Sequence, residues 1–144
     1  KDFILCDYQL WESRAAGADA VLLIVAALDD IELSGLLTLA KDLRLAVIVE
    51  VHNQDELQRA ILADAEIIGV NNRNLRTFAT RLETTLEMVD QIPDDQLLVT
   101  ESGIHNKDDV ERMRAAGVHA FLIGEAFLRS SDPGAKLSAL FGND

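Results

Sequence analysis

Three stretches of this chain are variants of one another: RAAGADAVLLIV (Arg14–Val25), RAILADAEIIGV (Arg59–Val70) and RAAGVHAFLIGE (Arg114–Glu125). Each opens on a basic residue and alanines, as the last turn of a helix would, because cations favour the negative helix end. Gly17 and Gly117 follow where a helix C-cap takes a left-handed residue. Asp64 stands near that place in the middle copy, which weakens the cap there. An apolar run completes each copy. The unit is helix, tight turn, strand, and a chain built from it lays its strands parallel with right-handed crossovers.

Two more strands are predicted at Leu45–Val51 (LAVIVEV) and Gln96–Glu101 (QLLVTE). Amphipathic spacing predicts helices over Asp7–Ala16, Asp29–Leu43, Gln54–Ala63, Leu82–Asp90 and Lys107–Ala116, with a last one from about Pro133 to Phe141. Asn106 with Asp109 forms a capping-box pattern, and SDPG places Pro133 in a first helical turn. The strands are near-continuous Val/Ile/Leu runs, the mark of burial on both faces. Two architectures satisfy this pattern, an open doubly wound sheet and a stretch of a (β/α)8 barrel. With 144 residues, no linker and no composition shift, residues 1–144 form one domain. Length alone fits the open sheet, since a complete barrel takes roughly 250 residues.

A formal charge of −12 argues against nucleic-acid and anionic-membrane surfaces, which need clustered Lys and Arg. An anion can still be held locally by backbone N–H groups at helix starts. No apolar run reaches the length of a bilayer span. Cys6 is the sole cysteine, so the chain has no internal disulfide and no cysteine metal cluster, and a reducing, cytoplasmic setting follows. His52, His105 and His119 lack metal-ligand spacing, so no metal site is expected. His119 reads as structural, and His52 and His105, just past strand tips, as solvated loop residues or pocket lining. Tyr8 and Trp11, three apart on the first helix, read as helix packing. The nucleophile elbow, the P-loop and the dinucleotide fingerprint are all absent.

In both architectures chemistry gathers at the carboxyl ends of the strands. Those ends carry Glu50, then Asn71 with Arg73, then Glu101, Ser102 and Gly103, then Gly124 and Glu125. Each has an ordinary explanation: an outward edge residue, turn chemistry, a stem covering apolar surface, a close helix–strand contact. Their recurrence at successive strand ends is what makes them candidates. The two late glycines precede free backbone donors, as in the phosphate cradle that barrel enzymes build after their last two strands.

The segments KDFI (Lys1–Ile4), YQLWESRAAGADAVLLIVAAL, VEVHNQDEL, IIGVNNRNLRTF, LLVTESGI and FLIGEAFLR together resemble the indole-3-glycerol phosphate synthase family of tryptophan biosynthesis, from Lys1 to about Leu140. The resemblance implies an incomplete (β/α)8 TIM barrel, roughly strands 4 to 8 with a remnant of strand 3, and a phosphorylated small-molecule substrate. The family closes the ring of 1-(2-carboxyphenylamino)-1-deoxyribulose 5-phosphate, with loss of carbon dioxide and water, using no cofactor or metal. By motif, Lys1 is the implied general acid and Glu50 a proton-transfer partner in the dehydration. Asn71 and Arg73 position the substrate around its anthranilate end, and Glu101 and Ser102 complete the catalytic floor. Gly103, Gly124 and Glu125 hold phosphate, chiefly through backbone. The family's early E-x-K pair and first strands have no counterpart here, so little activity is expected without an N-terminal barrel segment supplied in cis or in trans. Open parallel edges predict self-association.

Two rivals stand beside this reading. One is the phosphoribosyl-anthranilate isomerase type of barrel, whose Cys/Asp pair Cys6 does not match in context. The other is a non-catalytic, five-stranded doubly wound phosphate-binding module.

Overall fold

The computed structural model describes residues 3–142, so Lys1, the implied general acid, lies outside the described residues. Five strands, β1 (Ala20–Ile24), β2 (Ala46–Val51), β3 (Ile67–Asn71), β4 (Leu97–Glu101) and β5 (Ala120–Leu122), alternate with seven helices. These are α1 (Asp7–Ala15), α2 (Asp30–Asp42), α3 (Gln54–Leu62), α4 (Glu83–Leu86), α5 (Lys107–Ala115), α6 (Glu125–Leu128) and α7 (Pro133–Phe141). Caps are written into the sequence. Asp29 and Glu32 exchange side-chain and backbone hydrogen bonds at the start of α2, Asn106 and Asp109 do the same for α5, and Asp132 caps α7 with Pro133 behind it.

The helix-to-strand turn occurs four times. Gly17, Arg44, Asp64 and Gly117 all adopt left-handed backbone, with φ of 87°, 55°, 56° and 85°. In each case the next residue's N–H donates to the carbonyl five positions back: Ala18 to Ser13, Leu45 to Ala40, Ala65 to Ala60 and Val118 to Met113. This is the Schellman closure. Asp64 therefore makes the cap it was expected to weaken, and Arg44 supplies a fourth copy that has no glycine to announce it.

The helix expected over Leu82–Asp90 is shorter. α4 ends at Leu86, and a separate 3-10 turn covers Val89–Gln91. Adjacent β-branched Thr84 and Thr85 disfavour the helix. The N–H and the hydroxyl of Thr85 both donate to Asn72 Oδ1, at 3.2 and 2.9 Å, which satisfies a first-turn donor and ties α4 to the β3 tip.

The sheet is wholly parallel and its strands lie in sequence order, β1-β2-β3-β4-β5. A doubly wound sheet must reverse its order at a switch point. This one never does, so successive right-handed crossovers place every helix on one face. Packing agrees. Val21, Leu23, Val49, Val51, Ile68 and Val70 share a core with Leu10, Leu33, Leu36, Leu57 and Ala60 of the helices. A smaller core joins Leu98 and Phe121 to Val110, Met113 and Leu140. The alternate strand residues, Leu22, Ile48, Gly69, Val99 and Ala120 among them, line the other face, which in a barrel is the interior. The open-sheet architecture favoured by length is thereby overturned, and the doubly wound module with it.

Tyr8 and Trp11 are also not packed. They are 71% and 56% exposed, and Leu10 is the buried residue of α1. Among the described residues no helix is long and apolar enough to cross a membrane.

Candidate active site

Register brings the polar strand ends together. Glu50 lies opposite Gly69, and Asn71 opposite Glu101, all on the interior face. A Cβ on Gly69 would stand 2.1 Å from Glu101 Oε1 and 2.8 Å from Ile48 Cγ2. The Glu101 carboxyl thus lies across β3 in the space that a side chain at position 69 would fill. From there it neighbours Glu50 closely enough to help lower the Glu50 pKa. A contact between two carboxyl groups is favourable when one carries a proton. Both groups are deeply buried, at 3% and 4% exposure.

Glu50 is the member held ionised. Burial is the largest influence and pushes its pKa up, but the neighbouring His52 and Asn71 side chains, with the His52 charge, outweigh it and hold it below the usual carboxylate value. His52 Nε2 lies 3.0 Å from Glu50 Oε1, and its Nδ1 lies 3.1 Å from Glu56 Oε2. Burial opposes the imidazolium, yet the two carboxylates push the His52 pKa up to about 9. Neither His52 nor Glu56 was singled out as a partner of Glu50 in the sequence. The signal was present, however, in the i,i+2 and i,i+6 spacing of E-x-H-x-x-x-E at a strand-to-helix junction.

Ser102 and Gly103 follow Glu101 with φ of 64° and 81°. A non-glycine residue in left-handed backbone next to buried polar side chains is strain of the kind that collects at functional sites. Asn72 holds the turn in place. Its Nδ2 donates to Thr100 Oγ1 at 2.9 Å and to the Ser102 carbonyl at 3.1 Å, while its Oδ1 accepts from Thr85. Its N–H donates to the Glu101 carbonyl at 2.9 Å. Asn72 is thus a positioning residue that the sequence presented only as turn chemistry.

The remaining candidates lie along the same rim. The Asn71 side chain accepts from the Arg73 N–H at 3.0 Å. The Arg73 guanidinium pairs with Glu125, which also binds Arg129 at 2.9 Å. The hydrogen bond from Arg73, then the charges of Arg129 and Arg73, hold the Glu125 carboxyl below its usual value. With its side chain so engaged, Glu125 has its backbone N–H to offer a ligand. Gly124 starts α6 with open space where a Cβ would sit. A cleft of about 880 Å³ opens at this end, lined by His52, Glu56, Asn71, Arg73 and Arg81 among others. A second, of about 460 Å³, lies at the opposite end among the helix-to-strand turns and contains none of the tip residues.

Parallel strands in sequence order, helices on one face and buried polar tips on the other define the chain as part of a (β/α)8 barrel. Solved structures agree on that fold. KGPDC from Streptococcus mutans superposes with a TM-score of 0.74 at 17% identity, covering 93% of this chain and 65% of that one. Thiamine phosphate pyrophosphorylase from Pyrococcus furiosus gives 0.72 at 20% identity, covering 91% and 61%.

Sequence similarity is narrower. Residues 1–140 match the family described as indole-3-glycerol phosphate synthase, and the chain belongs to that family. Proteins of that name from Leptothrix cholodnii and Albidiferax ferrireducens are 59% and 57% identical over 141 residues. The match takes in 98% of this chain but 54% and 53% of those proteins, so the chain spans about half the length of the curated relatives it matches.

Proposed function

We propose that this chain forms the C-terminal portion of an indole-3-glycerol phosphate synthase barrel, working in the cytoplasm. There it would close the ring of 1-(2-carboxyphenylamino)-1-deoxyribulose 5-phosphate with loss of carbon dioxide and water. The observation that carries this is the Glu50–Glu101 pair buried over Gly69 beside Asn71, on the interior face where such a barrel holds its substrate. The chemistry needs an acid for the sugar carbonyl, and Lys1 takes that role by motif. It then needs a base for the dehydration, and Glu50, held ionised, meets that need. Asn71 and Arg73 would orient the anthranilate end, Arg73 exchanging the Glu125 carboxylate for that of the substrate. Glu101 and Ser102 would form the floor, and the backbone at Gly103, Gly124 and Glu125 would take the phosphate.

The partner implied by half-length coverage is an N-terminal barrel segment, in cis or in trans, covering the edge of β1. Alone, the chain would show little turnover and would self-associate through its open edges. The test supplies the N-terminal half of the Leptothrix cholodnii relative in trans and follows indole fluorescence on adding substrate. Turnover that appears with the added half and is lost in Glu50→Gln supports the reading. No gain in product overturns it.

A further inference from the structure

His52 follows the Glu50 tip, and the loop around it is built to hold its ring. Glu56, one helical turn into α3, accepts from the His52 backbone N–H at 2.8 Å and faces the ring Nδ1 at 3.1 Å with the same oxygen. Its other oxygen accepts from Asn53 Nδ2 at 2.7 Å, so the carboxylate is fixed from both sides. The far ring nitrogen faces Glu50 Oε1 at 3.0 Å. The ring is 13% exposed. A neutral imidazole has one N–H and would turn a lone pair toward one of the two carboxylates. The imidazolium instead offers positive charge to both, donating to Glu56 and standing in ion-pair contact with Glu50, to which its Nε2 is close but not aligned for a hydrogen bond.

We propose that His52 is a positioning residue that sets the charge and aim of Glu50, acting as an imidazolium fixed between Glu50 and Glu56. This rests on the functional reading above and adds to it the means by which a buried base stays ionised beside a second carboxyl group. Other charged groups on the walls of the same cleft are Asp55 on α3 and Arg73, Arg76, Arg81 and Glu87 across it. Glu50 and Glu56 are the ones in contact with the ring; burial is the largest influence and opposes its charge, and the two carboxylates together outweigh it. The same ion-pair contact bears on the aim of Glu50, which matters because a base misaimed by a fraction of an ångström loses rate. Glu56 touches no reacting atom in this scheme and acts only through the ring.

Two measurements on the barrel completed with the N-terminal half of the Leptothrix cholodnii relative test this. The first follows the His52 imidazole by nitrogen-15 NMR against pH and needs no substrate. The ring should remain protonated at pH 7.5, and Glu56→Gln should lower its midpoint by about one unit. A ring that is neutral at pH 7 overturns the assignment. The second measures the pH profile of turnover in His52→Gln. It should lower kcat roughly tenfold with KM little changed, and move the acid limb of kcat upward by about one unit, because Glu50 then protonates more easily. An unmoved acid limb, whatever happens to kcat, would mean that His52 only supports the loop and would overturn the proposal. If the completed barrel with no substitution shows no synthase turnover, the functional reading fails, while the NMR titration still decides the charge on His52.

Discussion

The two ends of the same five strands are built on different principles. At the end where helices enter strands, one turn is used four times, and glycine, arginine, aspartate and glycine occupy its left-handed position. The hydrogen bond that closes it is identical throughout. At the other end no two tips are alike. β1 finishes in apolar Ile24, β2 in Glu50 and His52, β3 in Asn71 and Asn72, and β4 in Glu101 before a strained Ser102. The first end carries stability through a motif that tolerates exchange. The second buries polar groups that depend on named partners, which is the division a barrel makes between its two faces.

The sharpest way to break the distinctive end is Gly69→Ala. The added methyl would occupy the position 2.1 Å from Glu101 Oε1 and 2.8 Å from Ile48 Cγ2. The flexible carboxyl gives way more easily than the sheet, so Glu101 leaves its place over β3. In the completed barrel, turnover should fall at least ~100-fold. Urea denaturation should meanwhile report a loss of only about 1–2 kcal/mol, the lower range for overpacking. Loss of fold in step with activity would show that position 69 serves packing alone.

Asn72→Ala should shift the balance toward stability. It strips partners from Thr85, Thr100 and the Ser102 carbonyl, in surroundings where Asn72, Thr85 and Thr100 are all buried. The two hydroxyls keep each other at 2.9 Å, but the Thr85 N–H and the Ser102 carbonyl lose the amide, which costs roughly 2 kcal/mol in denaturant titration. A cost under about 1 kcal/mol would mean that water replaces the amide.

The strand tips were legible because carboxylates and amides after apolar runs stand out. The partners were not. Asn72 meets Thr85 and Thr100 across 13 and 28 positions, and nothing in the composition of a threonine tells it to wait for an amide. The His52 bridge is not legible in the sequence, because a loop histidine past a strand tip fits a solvated position as well as a pocket lining. The fold divided in the same way. The glycines at 17 and 117 disclosed two turns, Arg44 gave no sign of a third, and although chain length alone fits an open sheet, the motifs already implied the partial barrel that the strand order bears out.

The His52 bridge also gives stability a pH dependence that the turn end lacks. Its pKa is raised from 6.5 to about 9 in the folded chain. That contribution is therefore complete below about pH 6.5 and is lost as pH rises through 9. Glu50 and Glu56 are shifted downward, so their share is present above about pH 4.5 and lost as pH falls below it. Both limbs describe the same contacts and are counted once. Between pH 6.5 and 9.5 the unfolding free energy should drop by on the order of 2 kcal/mol. In His52→Gln the alkaline drop should vanish, and its persistence would assign it to other groups.

The smallest effects belong to the repeated turn, and they should be orderly. Left-handed backbone costs an L-residue roughly 1–2 kcal/mol, less for aspartate, whose short polar side chain suits it. Glycine avoids that cost but gives back part of the gain through the entropy of the unfolded chain. Arg44→Gly should therefore stabilise by about 1 kcal/mol and Asp64→Gly by about half that, while Gly17→Ala destabilises by about 1 kcal/mol. Steric crowding does not enter at position 17, because nothing lies within 4 Å of where its Cβ would be. None of the three should move turnover in the completed barrel. Should Arg44→Gly destabilise instead, the arginine side chain must contribute to the 460 Å³ cleft it lines, and the turn end would be less interchangeable than its shared hydrogen bond implies.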